Sequence, residues 1–310
     1  MKGRRQEAAR QQAGGSREEL RALILGLSPR SSLPEAARVL ICFQVRQIEC
    51  DLPGARATLR PAPLHDARVA GRRLRAGVTI FQRLYPGVWE LAEMMARQLT
   101  RCLRCPRDLD IRSARLRRMM RGIGDRDRER KGHIGMLLEK TIIEREAFKG
   151  SSGPPTENFI RHLLPALWRP RFSQAPAAER FARVRLRELA QRTAMLIPTA
   201  SVEPRGGVQH RLRVRIKALR YSLEMMEWRL GGEAAWRLKV LRNAQDTLGE
   251  IHDIDVFTGY LAERAGLGAR YKMRGFKDID SGLGEERHKR FGRFLDVRVE
   301  LERAVTPVTF

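Results

Sequence analysis

Apolar residues recur at helical spacing along most of this chain. Between Leu64 and Leu84, the residues Ala67, Ala70, Leu74, Val78, Phe81 and Leu84 gather on one side of a helical wheel, the pattern of a helix with one face in a core. Leu212, Ile216, Leu219, Leu223 and Met226 repeat it further on. Prolines and glycines divide the rest. A helix that Ser32 caps and Pro34 opens is expected to stop at Pro53 and Gly54. Pro61 and Pro63 precede the next, which Pro86 and Gly87 close. A helix over 89–103 is expected to break at Pro106 and restart at Asp108 or Asp110 into 111–120. A charged, glycine-bearing loop over 122–131 and a helix over 134–148 complete this half.

The run GSSGPP over 150–155 is the strongest linker signal. Beyond it a basic amphipathic helix spans 179–196, followed by a loop over 198–207. The His210 helix ends at Gly231 and Gly232. A helix over 234–248 is stopped by Gly249, and Asp253 begins another. A glycine-rich loop over 266–284 leads to a closing helix over 285–305. No period-two run is bounded by hairpin turns, so the chain reads as all-α. Residues 1–32 read as a basic, polar, mobile tail with room for one short helix in 20–27.

One offset of 145 residues aligns the two halves without a gap. It pairs His65 with His210, Arg38 with Arg183, Leu74 with Leu219, Arg97 with Arg242, Leu103 with Leu248 and Asp108 with Asp253. The expected architecture is a tandem duplication of an antiparallel four-helix bundle with pseudo-twofold symmetry. Its units are 33–150 and 178–305, joined by a linker and short helix over 151–177, all within one domain.

The repeated helices carry chemistry opposite their core stripes. His65, Arg68, Arg72 and Arg75 lie at +3, +7 and +10 from the histidine, and His210, Arg213, Lys217 and Arg220 keep that spacing. On a helix these positions share an arc of about 80° and a row about 15 Å long. Like charges stacked on one face destabilise a helix unless an anion meets them. A charged face is ordinarily just solvated. Its duplication residue for residue, with a histidine included, points instead to a ligand. Arginine suits oxyanions because its planar fork bonds two oxygens at once, while Lys and protonated His add point charges. Asp108 and Asp253 follow the breakers Pro106 and Gly249. Each either caps a new helix or holds the basic side chains by charge-assisted hydrogen bonds. Arg107 and His252 precede them, and Tyr221 sits beside the second row.

Composition narrows the ligand. The 310 residues hold 61 Lys and Arg against 36 Asp and Glu, a net charge of +25. That surplus favours a polyanion: nucleic acid, an anionic membrane or polymeric phosphate. Four cysteines are too few for a secreted disulfide scaffold. Cys102 and Cys105 form one CxxC, and a zinc site would need Cys42 and Cys50 to converge on it. The N-terminus has no apolar signal-peptide core and no run of 18 apolar residues exists, so a cytoplasmic protein is expected.

The segments HDARVAGRRLR and RDLDI, then HRLRVRIKALRYSLE and LGEIHDIDV, resemble the CHAD domain, a histidine-bearing α-helical domain. The likeness covers roughly residues 33–305. It implies a duplicated four-helix-bundle architecture with a basic channel between the halves. It also implies binding of inorganic polyphosphate and association with intracellular granules. The motif match carries His65, Arg68, Arg72, Arg75, His210, Arg213, Lys217 and Arg220 over as the ligand face, with Arg73 and Arg107 beside them. Arg38, Arg97, Asp108, Arg183, Tyr221, Arg242, His252 and Asp253 are supporting candidates. The chain departs from the pattern at Asp66, which puts a negative charge beside the first histidine, and at His252, where a neutral polar residue is more usual. Glu144, Glu146 and Lys149 miss the ExExK spacing of a triphosphate-tunnel enzyme by one.

The expected function is therefore non-enzymatic polyphosphate binding, with no cofactor and no catalytic residue. Nucleic-acid binding is the alternative, weakened because aromatics are only 6% and do not interleave with the basic rows. A phosphohydrolase would need its His and Asp to share a metal, yet they lie 43 residues apart in each half.

Overall fold

The computed structural model describes residues 16–58, 61–124, 127–148, 163–202, 206–266 and 276–306, and these contain helices and no strand. Within the expected N-terminal tail, α1 (Arg17–Leu25) begins with a capping box. The Ser16 hydroxyl accepts from the Glu19 amide at 3.2 Å, and the Ser16 amide donates to the Glu19 carboxylate at 2.6 Å. Leu20 is fully buried, which seats this helix against the next. The rest of the tail (1–15), the 150–155 linker and residues 267–275 of the glycine-rich stretch lie outside the described residues.

Helix α2 (Leu33–Thr58) starts where Ser32 accepts from the Glu35 amide at 3.4 Å, but it does not stop at Pro53 and Gly54. Proline's fixed φ is itself helical, so its burden is one lost hydrogen bond and ring crowding. Buried Ile48 and Leu52 hold the backbone across it. Helix α3 (Pro61–Ile80) takes Pro61 and Pro63 into its first turn. It ends six residues before Pro86, and Phe81 and Leu84 stay buried through a 3-10 turn, Gln82–Leu84. A β-carbon on Gly77 would stand 3.1 Å from Ile41 and 3.3 Å from Met225, so glycine permits a close approach of three segments here.

Helices α4 (Trp89–Cys102) and α5 (Arg104–Gly122) meet at Leu103, not at Pro106. Proline is tolerated in the first turn of α5, where its missing donor would be unpaired anyway. Asp108 consequently lies inside the helix and caps nothing. The same correction applies at Gly249. Helix α11 (Gly232–Gly266) runs 35 residues without interruption and carries Asp253 at mid-length. A lone glycine costs a helix about 1 kcal/mol. Leu248, Ile251 and Ile254, all buried around it, outweigh that. At the 145-residue offset the break at Leu103 therefore has no counterpart at Leu248.

The expected loop over 122–131 is shortened from both sides. Helix α5 reaches Gly122, and α6 (Arg128–Glu146) begins where Asp127 accepts from the Arg130 amide at 3.2 Å. Helix α7 (Ala175–Ala194) is followed by a short α8 (Ile197–Val202) in place of the loop expected from 198. Helix α9 (Gly206–Glu224) gives way to α10 (Glu227–Leu230), closed by Gly231 at φ +61°. Helix α12 (Phe276–Val305) starts nine residues earlier than expected.

Packing follows the stripes read from sequence. Every apolar residue assigned to the α3 and α9 stripes is buried. Helix α3 packs on α2 and α4, α9 on α7 and α11, and α3 also meets α9 directly. They share a large apolar cluster that includes Ile41, Leu74, Phe81, Ile216, Leu241 and Phe294. A smaller cluster joins α5, α6, α11 and α12 through Leu116, Ile134, Ile254, Phe257, Tyr260, Leu261 and Leu283. Along α5 and α11 the polar pairs Arg107-Asp108 and His252-Asp253 fall where the first cluster gives way to the second.

Candidate anion-binding face

Helices α3 and α9 turn their basic rows toward the junction of the two apolar clusters. Arg68 and Arg72 come from α3, Arg213 and Lys217 from α9, Arg104 and Arg107 from α5, and Asp253 from α11. Their mutual electrostatics place them in one field. Burial pushes the Lys217 ammonium down to about 7, helped by Arg213, Arg72 and Arg68 and opposed by Asp253. Burial also brings Arg68 down to about 10, with Arg72, Arg107 and Arg104 adding to it and Asp108 opposing. Arg213 is lowered by burial first, and both Arg72 and Arg104 reach it across the helix boundary. Asp253 is raised, because burial outweighs the attraction of Arg213, Lys217 and Arg107. The carboxylates thus fall short of neutralising the cations around them.

Local contacts position the cluster. The Arg68 guanidinium donates to the Leu103 carbonyl at 2.6 Å, using the acceptor that the α4–α5 break sets free. Arg213 lies beside Gly249, where a β-carbon would stand 3.7 Å from its Nη1. The Nε atoms of Arg72 and Arg213 are buried without a hydrogen-bond partner. Orphan Nε atoms occur on Arg38, Arg130, Arg237, Arg290 and Arg298 as well. Those of Arg72 and Arg213 are distinguished by sitting in an undercompensated cationic cluster.

The histidines follow the same field. His210 and His252 meet Nδ1 to Nδ1 at 3.1 Å with ring centroids 4.3 Å apart. Burial, then Arg213 and His210, bring His252 down to about 3. His210 is lowered by burial, Arg213 and Lys217. His65, on the exposed end of α3, is lowered by burial and then by Arg107 and Arg72.

Other residues singled out in the sequence are held elsewhere. Arg73 donates to Glu224 at 2.7 Å, and Arg220 donates to Glu224 and, at 3.0 Å, to Gln245. Arg220 is buried, with its guanidinium 4.2 Å from the Tyr221 ring centroid. Tyr221 is buried in turn, with Arg72 5.6 Å from its centroid. Arg75 and Arg97 both pair with Glu93, at 3.2 and 2.6 Å. Arg38 stacks 4.7 Å from Trp168, Arg183 pairs with Glu179 at 2.8 Å, and Arg242 is exposed on α11. Asp108 lies 3.4 Å from the Arg104 guanidinium. Cys42 is buried, whereas Cys50, Cys102 and Cys105 are exposed.

Sequence reasoning missed Arg104, whose place in the field depends on a helix break put three residues too late. It also missed the second aspartate of each pair. Asp110 binds Arg145 of α6 at 2.5 Å, and Asp255 binds Arg287 of α12 at 2.5 Å. The DxD spacing was the available signal: alternate residues on a helix point about 200° apart, so one aspartate faces the cations and the other the neighbouring helix. A depression of about 380 Å3 lined by Gln82, Arg83, Pro86, Trp89, Arg171 and Gln174 shares no residue with the basic cluster.

Comparison with known proteins agrees with this architecture. The family model described as CHAD domain matches residues 40–262. Among solved structures, the crystal structure of the CHAD domain from the plant Ricinus communis matches with a TM-score of 0.62 at 20% identity, covering 89% of this chain and 93% of that one. A search of curated proteins found no match.

Proposed function

The chain belongs to the CHAD-domain family, and we propose that it binds inorganic polyphosphate without turning it over, through the cluster of Arg68, Arg72, Arg104, Arg107, Arg213 and Lys217. One observation supports this reading: cations from three helices are gathered in a partly buried place where too few carboxylates meet them, and burial first, then Arg213, Arg72 and Arg68, brings Lys217 down to about 7. Such a concentration is stable in use only with an anion in it. A linear polymer of phosphate supplies closely spaced oxyanions to match both rows, and arginine forks suit them. His65 and His210 lie at one end of each row and extend it. The reading places the protein in the cytoplasm, associated with polyphosphate granules.

Nucleic acid is the competing polyanion. Tyr221, the aromatic beside the rows, is buried between Arg72 and Arg220 and offers no platform for a base. Among the described residues no group of three or more His, Cys, Asp or Glu is placed to share a metal ion, and Asp253 lies amid cations, which disfavours a second positive centre there. No membrane span competes for the charge: no described helix is long and apolar enough to cross a bilayer.

The test is competition between long-chain polyphosphate and an RNA of equal charge concentration across a salt series. Polyphosphate that RNA does not displace identifies a shaped site. Equal binding of both, fading together as salt rises, reduces the interaction to the net charge of +25.

A further inference from the structure

The two imidazoles that meet at the edge of the basic cluster can share only one hydrogen between their facing nitrogens. At 3.1 Å, one Nδ1 donates and the other accepts, which two neutral rings can do and so can one charged and one neutral ring. A first proton can go to the outer Nε2 of the donor ring and keeps the contact, whereas a second puts donors on both facing atoms and breaks it. Around the pair stand Arg213 and Lys217 from α9 and Arg104 from α5. Asp253 adjoins His252 on α11. Arg287, from α12, is held one turn away by Asp255 and Gln209. Lys217, two turns along α9 from His210, faces Arg68 and Arg72 from α3, Arg213 from its own helix and Asp253 from α11. This corner of the site thus holds groups able to accept protons and is surrounded by charge that opposes their doing so.

We propose that a polyanion entering this face draws protons onto Lys217 and the hydrogen-bonded His210–His252 pair, so that ligand occupancy is set by pH. The inference rests on the polyphosphate reading and adds its regulation. Burial is the main cause that holds each acceptor neutral, and oxyanions work against it twice: they cancel the field of Arg72, Arg104 and Arg213, and they attract the charged form of each acceptor directly. The two acceptors work in separate windows. Lys217 is largely neutral in the free chain above about 7, so its uptake is expressed at mildly alkaline pH. The histidine pair, with His252 brought down to about 3, is neutral in the free chain at mildly acidic pH and loads there. The sign follows from linkage: a ligand that takes up protons binds more tightly as pH falls, by about tenfold per pH unit for each whole proton.

Isothermal titration of the full chain with long-chain polyphosphate, in buffers of different ionisation enthalpy, counts these protons. Internal phosphates of a long chain stay ionised throughout, so the protons counted are the protein's. At about pH 8, apparent enthalpy plotted against buffer ionisation enthalpy is expected to report an uptake approaching one proton, and Lys217→Arg, a cation at every working pH, removes it. At about pH 6 the remaining uptake belongs to the imidazoles, and His252→Asn reduces it by the share of that ring. A zero slope at both pH values, with binding seen independently by fluorescence anisotropy, overturns the proton coupling and leaves polyphosphate binding standing. No binding by either method overturns the functional reading itself. The wild-type slopes decide the question even if a variant fails to fold.

Discussion

Arg73 on α3 donates to Glu224, the last residue of α9, at 2.7 Å, and this one ion pair ties the two basic helices together. Glu224 is nearly buried, with 9% of its side chain exposed, and it also takes Arg220. The clamp explains why two arginines that read as ligand residues are not in the cluster: they neutralise a carboxylate on which the α3–α9 contact depends. Glu224→Gln should therefore destabilise the fold by about 3 kcal/mol, because it leaves Arg220 buried and unpaired. Arg73→Ala, whose side chain is more exposed, should cost about 1 kcal/mol. Urea unfolding checks both. A Glu224→Gln protein as stable as the parent would return Arg73 and Arg220 to the ligand face.

Arg68 and Arg213 are expected to dominate affinity, since each reaches the cluster from a different helix. Charge-assisted hydrogen bonds contribute about 1.5–3 kcal/mol each, so Arg68→Ala combined with Arg213→Ala should weaken polyphosphate binding at least about a hundredfold. Removing two crowded cations should leave the melting temperature unchanged or higher. Unchanged affinity in the folded double variant would discard this face as the site.

Stability without ligand should rise with pH above neutrality. Lys217 is brought from its ordinary 10.5 to about 7 in the folded chain, so between those values the unfolded chain binds more protons. Stability from this group therefore increases as pH climbs from about 7 toward 10.5, and the charged form is a full burden below that window. Lys217→Met should flatten the rise. Denaturation midpoints at a few pH values between about 7 and 9 decide it, and a falling wild-type profile that the variant leaves untouched would refute the assignment.

Asp255 and Asp110 should matter to stability and not to binding. Each anchors an arginine of the neighbouring helix, Arg287 and Arg145 respectively. Asp255→Asn should lower stability by about 1–3 kcal/mol, since it weakens a charge-assisted bond and disturbs Gln209 through Arg287. Polyphosphate affinity, measured below the unfolding transition, should stay within about twofold. A selective loss of affinity would place Asp255 in the site.

Much of this molecule was determined by the sequence alone. Helical periodicity alone marks the core stripes of α3 and α9, because a stripe records which side of a helix must leave water. The all-helical class follows from the same pattern, and the charge surplus with its repeated rows is what motivates the proposal of an anionic ligand. Tertiary structure decided what local signals misplace. Pro53, Pro106 and Gly249 are breakers by local preference, yet burial on either side carries the helix through Pro53 and Gly249, since packing several apolar side chains outweighs one weak backbone position, and Pro106 falls in the first turn of α5, where its missing donor has no cost. The site was divided in the same way. Of the eight residues in the two rows, Arg68, Arg72, Arg213 and Lys217 enter the shared cluster, while Arg75 and Arg220 are taken by carboxylates from α4 and the end of α9. Spacing along one helix states which side chains share a face; only the packing of helices states which charges on that face find a partner.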